Sequence, residues 1–205
     1  MKLMAIDGNS ILNRAFYGVR LLSNKDGVFT NAVFGFLNIF LKLLKEHKPD
    51  AVAVAFDVSR TTFRHEQYSE YKANRHGMPE ELRMQLPLIK EILTALGYAV
   101  VGCEGFEGDD ILGTLAAACE KNGGECVVVS GDRDCLQLVT DSVSVELVRT
   151  KDNTLYTPEV FLEEYGFPPE RMVDLKGLMG DSSDNIPGVK GIGEKTAKSL
   201  LQQYG

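Results

Sequence analysis

The chain has 205 residues, 44% hydrophobic and 25% charged, with 22 basic residues against 29 acidic for a net charge of −7. These values exclude disordered, collagen-like and fibrous classes, and the length suits roughly one compact domain with a core that needs no disulfide staples. No apolar run approaches the ~18–20 residues that span a bilayer, and an acidic total argues against a nucleic-acid partner unless the acid is gathered where cations neutralise it.

Short apolar, β-branched runs predict strands over 2–6, 51–56, 98–101, 126–129 and 143–148. The first reaches Asp7 after only four apolar residues, so no signal peptide is expected. Between the strands, Val33, Phe34, Phe36, Leu37, Phe40, Leu41, Leu43 and Leu44 recur at helical spacing. So do Leu82, Leu86, Ile89, Ile92, Leu93 and Leu96, after a Pro79 suited to a first helical turn. A third helix over 111–121 closes on Asn122-Gly123-Gly124. Apolar strands alternating with helices indicate a mostly parallel sheet covered on both faces. From Thr157 onward the strands are expected to stop: 158–165 and 171–179 read as short helices, followed by a Gly-rich hairpin and a helix over 194–204. Cys103, Cys119, Cys126 and Cys135 form no C-x-x-C pair and read as reduced core thiols of a cytosolic protein.

Three strands end alike, at Ile6-Asp7-Gly8, Phe56-Asp57 and Ser130-Gly131-Asp132-Arg133-Asp134. Ligands of open parallel sheets bind outside the carboxyl ends of the strands, so acids placed there converge on one crevice. Glu107-Gly108-Asp109-Asp110 opens a helix just after another strand, with Glu107 and Asp110 on one face. Asp181 and Asp184, also three apart, bring the set to nine carboxylates. Setting those nine aside turns the net charge from −7 to +2. A single Asp after a strand is commonly a turn or helix cap, and acids at a helix start suit its dipole; the joint pattern points instead to metal. Bare carboxylates packed together repel, and oxygen donors without His or Cys suit Mg²⁺ or Mn²⁺. Two such ions can hold both the attacking and the leaving oxygen of a phosphoryl displacement. His47, His65 and His76 have no evident nucleophile as partner.

The stretch from Phe63 to Arg75 mixes cations with Phe63, Tyr68 and Tyr71, a composition suited to stacking bases and holding phosphates; a solvated connection with its aromatics in the core is the alternative. Lys72 and Arg75 are expected to share a helical face opposite the metals. Arg14 and Arg20 are similarly ambiguous. In the hairpin 185–197, Gly188, Gly191 and Gly193 allow close backbone approach to phosphate, beside Lys190, Lys195 and Thr196 at a helix N-terminus. A plain turn between helices is the alternative there.

Together, the strand-end acids, Tyr71-Lys72-Ala73-Asn74-Arg75, Glu107-Gly108-Asp109-Asp110, Gly180-Asp181-Ser182-Ser183-Asp184-Asn185 and the hairpin resemble the 5′-nuclease (flap endonuclease-like) family, nearest to the 5′→3′ exonuclease domains found at the N-terminus of bacterial DNA polymerase I. The resemblance runs over essentially the whole chain. It implies a PIN-like α/β core over 1–156, with a helical gateway near 60–85, and a helix–hairpin–helix region over 157–205. By that resemblance Asp7, Asp57, Glu107, Asp109, Asp110, Asp132, Asp134, Asp181 and Asp184 fall on metal positions, some holding metal through water, with Asp57 and Glu107 nearest the nucleophile. Lys72 and Arg75 fall on positions that engage the scissile phosphate; Arg14 and Tyr71 join the DNA-contacting set, as do Gly188, Lys190, Gly191, Gly193, Lys195 and Thr196, where the family often binds K⁺. The implied partner is DNA with a 5′ flap, nick or 5′ end, RNA-primed ends included, cut by a monomeric, cytoplasmic, nucleoid-associated enzyme with no membrane contact. Because such domains continue past this hairpin, the chain is expected to belong to a longer protein that includes a polymerase. A non-catalytic DNA-binding fragment and an RNA-cleaving relative are the competing readings.

Overall fold

The computed structural model describes residues 1–59, 61–75, 77–149 and 152–205. Six strands form one sheet in the order β3-β2-β1-β4-β5-β6: β1 Lys2–Asp7, β2 Ala51–Ala55, β3 Ala99–Val101, β4 Glu125–Ser130, β5 Val143–Leu147 and β6 Thr154–Tyr156. All neighbours pair in parallel except β5 with β6. The chain therefore runs outward from β1 to β3, returns to β4 on the other side of β1, and runs outward again.

Strand alternation divides the core. Leu3, Ala5, Cys126, Val128, Val143 and Val145 face one side, under α6 (Gly108–Lys121), α7 (Pro158–Tyr165), α8 (Met172–Met179) and α9 (Glu194–Tyr204). Met4, Ile6, Val54, Val127 and Val129 face the other, under α1 (Gly8–Gly18), α2 (Asn31–His47) and α5 (Gln85–Ala95). A strand's period of two sends neighbouring residues to opposite layers, so both faces must be apolar and the strands read as continuous apolar runs. Helices α1 and α2 cross at Gly35, where an added Cβ would come within 2.9 Å of the Ala15 methyl.

Several expectations change. Helix α1 was not visible as a period, since it opens on Gly8-Asn9-Ser10 and buries only Gly8, Ile11, Leu12 and Ala15. The helix expected after Pro79 is two pieces, α4 (Glu80–Arg83) and α5, meeting at Met84. Pro87 has no N–H to return to Arg83 and its ring crowds that carbonyl, so the first helix stops there. Phe34 and Leu41, placed in the core pattern of α2, are 54% and 58% exposed. Cys103 is exposed, whereas Cys119, Cys126 and Cys135 are buried. Strand structure persists past Thr157 as a two-residue antiparallel ladder, β7 (Gly180–Asp181) with β8 (Ile186–Pro187). Among the described residues of the gateway region before α5, only α3 (Phe63–Gln67) and α4 are helical, and His76 and Arg60 lie outside the described residues.

One buried polar side chain organises the α2 face. Gln85 has no exposed surface; its Oε1 accepts the N–H groups of Ala32 and Val33 at 2.8 and 3.2 Å. Its Nε2 donates to Asn31 Oδ1 and to the Glu81 carbonyl at 3.0 and 2.9 Å. It thus satisfies the orphan donors of a helix N-terminus set inside the protein. Gln85→Leu should lower stability by roughly 2–4 kcal/mol, because two buried N–H groups lose their acceptor. Urea unfolding measures this, and an unchanged midpoint would show that the α2 N-terminus finds other acceptors.

Candidate active site

The sheet order fixes where the acids meet. Adjacent strands β1 and β4 send their chains to opposite layers, which opens a crevice beyond their carboxyl ends. A cleft of about 920 Å³ lies there, lined by Asp7, Asp57, Glu107, Asp109, Asp132, Asp134 and Asp184, so seven of the nine candidate carboxylates share it. Several of them also cap local structure. Asp7 is the N-cap of α1: its Oδ1 accepts the Ser10 N–H at 2.9 Å, and its Oδ2 accepts the Ser130 hydroxyl at 2.8 Å. Asp57 accepts the Gly108 N–H at the start of α6 at 2.7 Å and the Asn9 amide at 2.9 Å. Asp132 accepts the Asp134 N–H at 2.9 Å. Capping and lining the cleft are compatible: the hydrogen bonds that cap local structure also fix these carboxylates at the cleft wall.

The remaining two acids are spoken for by cations. Asp110 receives Arg64 as a two-pronged pair at 2.7 and 2.8 Å and also caps the Glu107 N–H at 2.9 Å. Asp181 receives Lys176 at 2.7 Å, and the same ammonium reaches Asp134 at 2.5 Å. Lys72 and Arg75 do not share a helix. Lys72 takes a left-handed φ of 55° and gives its N–H to the Asp184 carbonyl at 2.8 Å, which ends any helical ladder. Its ammonium lies 2.7 Å from Glu107 and 3.9 Å from Asp184, and Arg75 pairs with Asp184. Both point into the carboxylates rather than across from them. Tyr71, expected at the DNA surface, is 5% exposed and donates its hydroxyl towards Glu107 and Asp184 at 2.8 and 3.2 Å. Arg14 lines the same cleft. Sequence reasoning missed the parts played by Lys176, Arg64, Asn9, Ser10 and Ser130. Arg64 alone carried a signal, in its place within the basic and aromatic segment.

The hairpin stands apart from this cleft. Gly188 packs against Gly180 so tightly that a Cβ would meet the Gly180 nitrogen at 2.3 Å, so close packing demands that glycine. Gly191, at φ +85° with open space around it, and Gly193, Lys190, Lys195 and Thr196 are exposed. His65 accepts from Thr62 at the start of α3, and His47 lies 3.6 Å from Glu146; neither reaches the cleft.

Burial foremost, with Asp57 and Asp132 nearby, pushes the Asp7 carboxyl up to about 6, against the opposing hydrogen bonds from Ser10 and Ser130. Asp109 is also raised to about 6, by desolvation and then by Asp110 and Glu107 against the opposing charge of Arg64; its side chain stands exposed at the rim, so solvent screens much of that. Burial raises Asp134 as well. At Asp181 burial is outweighed by Lys176 and Ser183, which hold the carboxyl at about 2. A carboxyl raised in the folded state binds protons more tightly there than in the unfolded chain, so stability falls as pH rises through the interval from about 4 to 6. In EDTA the protein should melt higher at pH 5.5 than at pH 7.5, and Asp7→Asn should flatten much of that difference. Thermal melts over this range check it, and a wild-type profile that rises with pH would contradict it.

Among the described residues no three His, Cys, Asp or Glu side chains stand close enough to hold an ion as they are; Lys72, Arg75, Arg64 and Lys176 lie among the carboxylates instead. The donor chemistry nonetheless fits hard divalent cations: converging carboxylate oxygens, one of them held as a largely buried acid with a raised pKa, and positive side chains already drawn to the same points.

Known proteins resemble the chain in sequence and in fold. A family model described as the 5′-3′ exonuclease N-terminal resolvase-like domain matches residues 2–166, and one described as the 5′-3′ exonuclease C-terminal SAM fold matches residues 167–205. DNA polymerase I of Bacillus subtilis is 52% identical over 205 residues, 99% of this chain and 23% of that protein. DNA polymerase I of Caldicellulosiruptor bescii is 48% identical over 208 residues, 100% of this chain and 24% of that one. The chain thus spans about a quarter of the length of these relatives. Among solved structures, the bacteriophage T5 flap endonuclease in complex with DNA and metal ions superposes with a TM-score of 0.79 at 24% identity, covering 100% of this chain and 76% of that one. Flap endonuclease-1 from Methanococcus jannaschii gives 0.62 at 22% identity, over 98% and 71%. These two likenesses speak to the fold; the family rests on the two model matches, which together take in nearly every residue, and by them the chain belongs to the 5′-3′ exonuclease family.

Proposed function

We propose that the chain hydrolyses DNA phosphodiesters at a 5′ end, nick or flap junction. The observation that carries this reading is the gathering of seven carboxylates with Lys72 and Arg75 around one cleft. Asp7, Asp57, Glu107, Asp109, Asp132, Asp134 and Asp184 would hold two divalent ions, Mg²⁺ or Mn²⁺, with Asp110 and Asp181 oriented behind them. When bound, such ions lower the pKa of water and stabilise charge on the transferring phosphoryl group.

The chain's own residues supply position and charge. Asn9, Ser10 and Ser130 fix the carboxylate rotamers through the bonds described above. Lys72 and Arg75, released from Glu107 and Asp184 once those acids are otherwise neutralised, are left to hold the scissile phosphate. Lys190, Lys195 and Thr196, with the glycines of the exposed hairpin, suit non-reacting duplex phosphates, and K⁺ at that hairpin belongs to the same proposal. Residues 1–156, joined by Asp181 and Asp184, then perform the chemistry, and the hairpin within 157–205 supplies the duplex grip. Relatives named DNA polymerase I support attachment to a polymerase; work on RNA-primed 5′ ends, by a monomer at the nucleoid in the cytoplasm, belongs to the same proposal. No described helix is long and apolar enough to cross a membrane.

Labelled flap DNA should be cut in Mg²⁺ and left intact in EDTA. Equal cleavage in EDTA would overturn the reading, binding without turnover even in saturating Mn²⁺ would favour a non-catalytic DNA-binding fragment, and preferential cutting of matched RNA would favour the RNA-cleaving alternative. Lys72→Ala should lower the single-turnover rate at saturating DNA by ~10²–10³, as expected for one lost electrostatic donor. Lys195→Ala should weaken affinity and reduce the magnitude of the salt-dependence slope by about one, with the saturated rate nearly unchanged. The opposite pattern in the two variants would show that gateway and duplex grip are assigned the wrong way round.

A further inference from the structure

Six of the cleft carboxylates are carried by the sheet ends and by α6, whereas Asp184 sits far along the chain on the turn between β7 and β8. A seam of hydrogen bonds brings that turn to the rest. The Asn185 amide donates to the Glu70 carbonyl at 2.8 Å, the Asn74 amide to the Ser182 carbonyl at 2.8 Å, and the Lys72 N–H to the Asp184 carbonyl at 2.8 Å. Lys72 and Asn185, at φ 55° and 58°, are two of the described non-glycine residues in the left-handed region, and both lie in this seam. Strained backbone of that kind persists where surrounding contacts over-determine it, and it concentrates at functional sites.

Tyr71 lies at the centre. Its ring is held edge-on by His65 at 5.1 Å and covered by the Lys72 ammonium at 4.8 Å, so its buried hydroxyl has one place to be. That hydroxyl lies 2.8 Å from Glu107 Oε2 and 3.2 Å from Asp184 Oδ2, joining one carboxylate from each carrier. We propose that Tyr71 is a positioning residue whose hydroxyl sets the separation of Glu107 from Asp184, and with it the spacing of the two cations the cleft takes up; this rests on the two-ion reading above. The role differs from base stacking, for which a 5% exposed ring is badly placed.

The test is calorimetric titration of Mn²⁺ into the metal-free chain without DNA, for wild type and Tyr71→Phe. Tyr71→Phe should weaken one of two Mn²⁺ affinities about tenfold and leave the other within about twofold, while DNA affinity in EDTA stays within twofold. The Mn²⁺ concentration for half-maximal cleavage should rise by the same factor as the weakened affinity falls, with the rate recovered at saturating Mn²⁺. Asn74→Ala, which loosens the seam without touching the hydroxyl, should lower the melting temperature and leave the ratio of the two affinities unchanged. Should Tyr71→Phe not fold, 3-fluorotyrosine at position 71 keeps the ring and strengthens the donor, and it should shift the same single affinity. Two unchanged Mn²⁺ affinities in the substituted protein overturn the proposal, whether or not DNA affinity falls. A wild type that takes up fewer than two ions overturns the two-ion reading and this proposal with it.

Discussion

Mutual repulsion among carboxylates packed into one crevice is the constraint on which the rest of the structure depends. Like charges a few ångströms apart cannot all ionise without compensation, yet the sheet order brings Asp7, Asp57, Asp132 and Asp134 together and α6 adds Glu107 and Asp109. The chain answers in two ways. Arg64, Lys72, Arg75 and Lys176 reach in from segments that precede and follow the acids in sequence, and each pairs with one or two of them. The backbone answers too, since helix starts and strand-end turns give N–H groups to Asp7, Asp57 and Asp132. The cations mark where positive charge is wanted, which is how a protein with net charge −7 can face a polyanion.

This arrangement couples fold to chemistry. Asp7, which caps α1, and Asp57, which holds the start of α6, have both oxygens in hydrogen bonds, so the secondary structure fixes the rotamers of the donors that line the cleft. The same coupling explains why the gateway segment is not a long helix. Lys72 gives up the helical ladder to tie its backbone to Asp184, and that exchange draws the β7–β8 turn into the site.

What could be read from the sequence follows from what is local and what is not. Continuous apolar strands such as 2–6 and 126–129 announced a sheet covered on both faces, and the acids at their ends announced a shared crevice, because parallel topology places strand ends together whatever the strand order. The hairpin motif was visible because its glycines are spaced by local geometry. Helix α1 stayed hidden because a helix capped by Asp7 and opening on Gly8-Asn9-Ser10 has little intrinsic preference of its own. Strand β6, three residues long, is too short to show a period. Lys176 was invisible because its partners, Asp134 and Asp181, meet it only after α8 packs beside the strand-end turn. Tyr71 could be read as a base-stacking or as a core aromatic, since nothing local shows that its hydroxyl will lie between two acids from distant segments.

The central claim is that cations from the chain occupy places meant for divalent ions. Anomalous scattering from crystals soaked in Mn²⁺ tests this most directly. The account predicts two manganese peaks in the cleft, flanked by carboxylates from the sheet ends, α6 and the β7–β8 turn, with the Lys72 and Arg75 side chains moved off Glu107 and Asp184. A cleft without manganese at saturating concentration, with those ion pairs still in place, would contradict it.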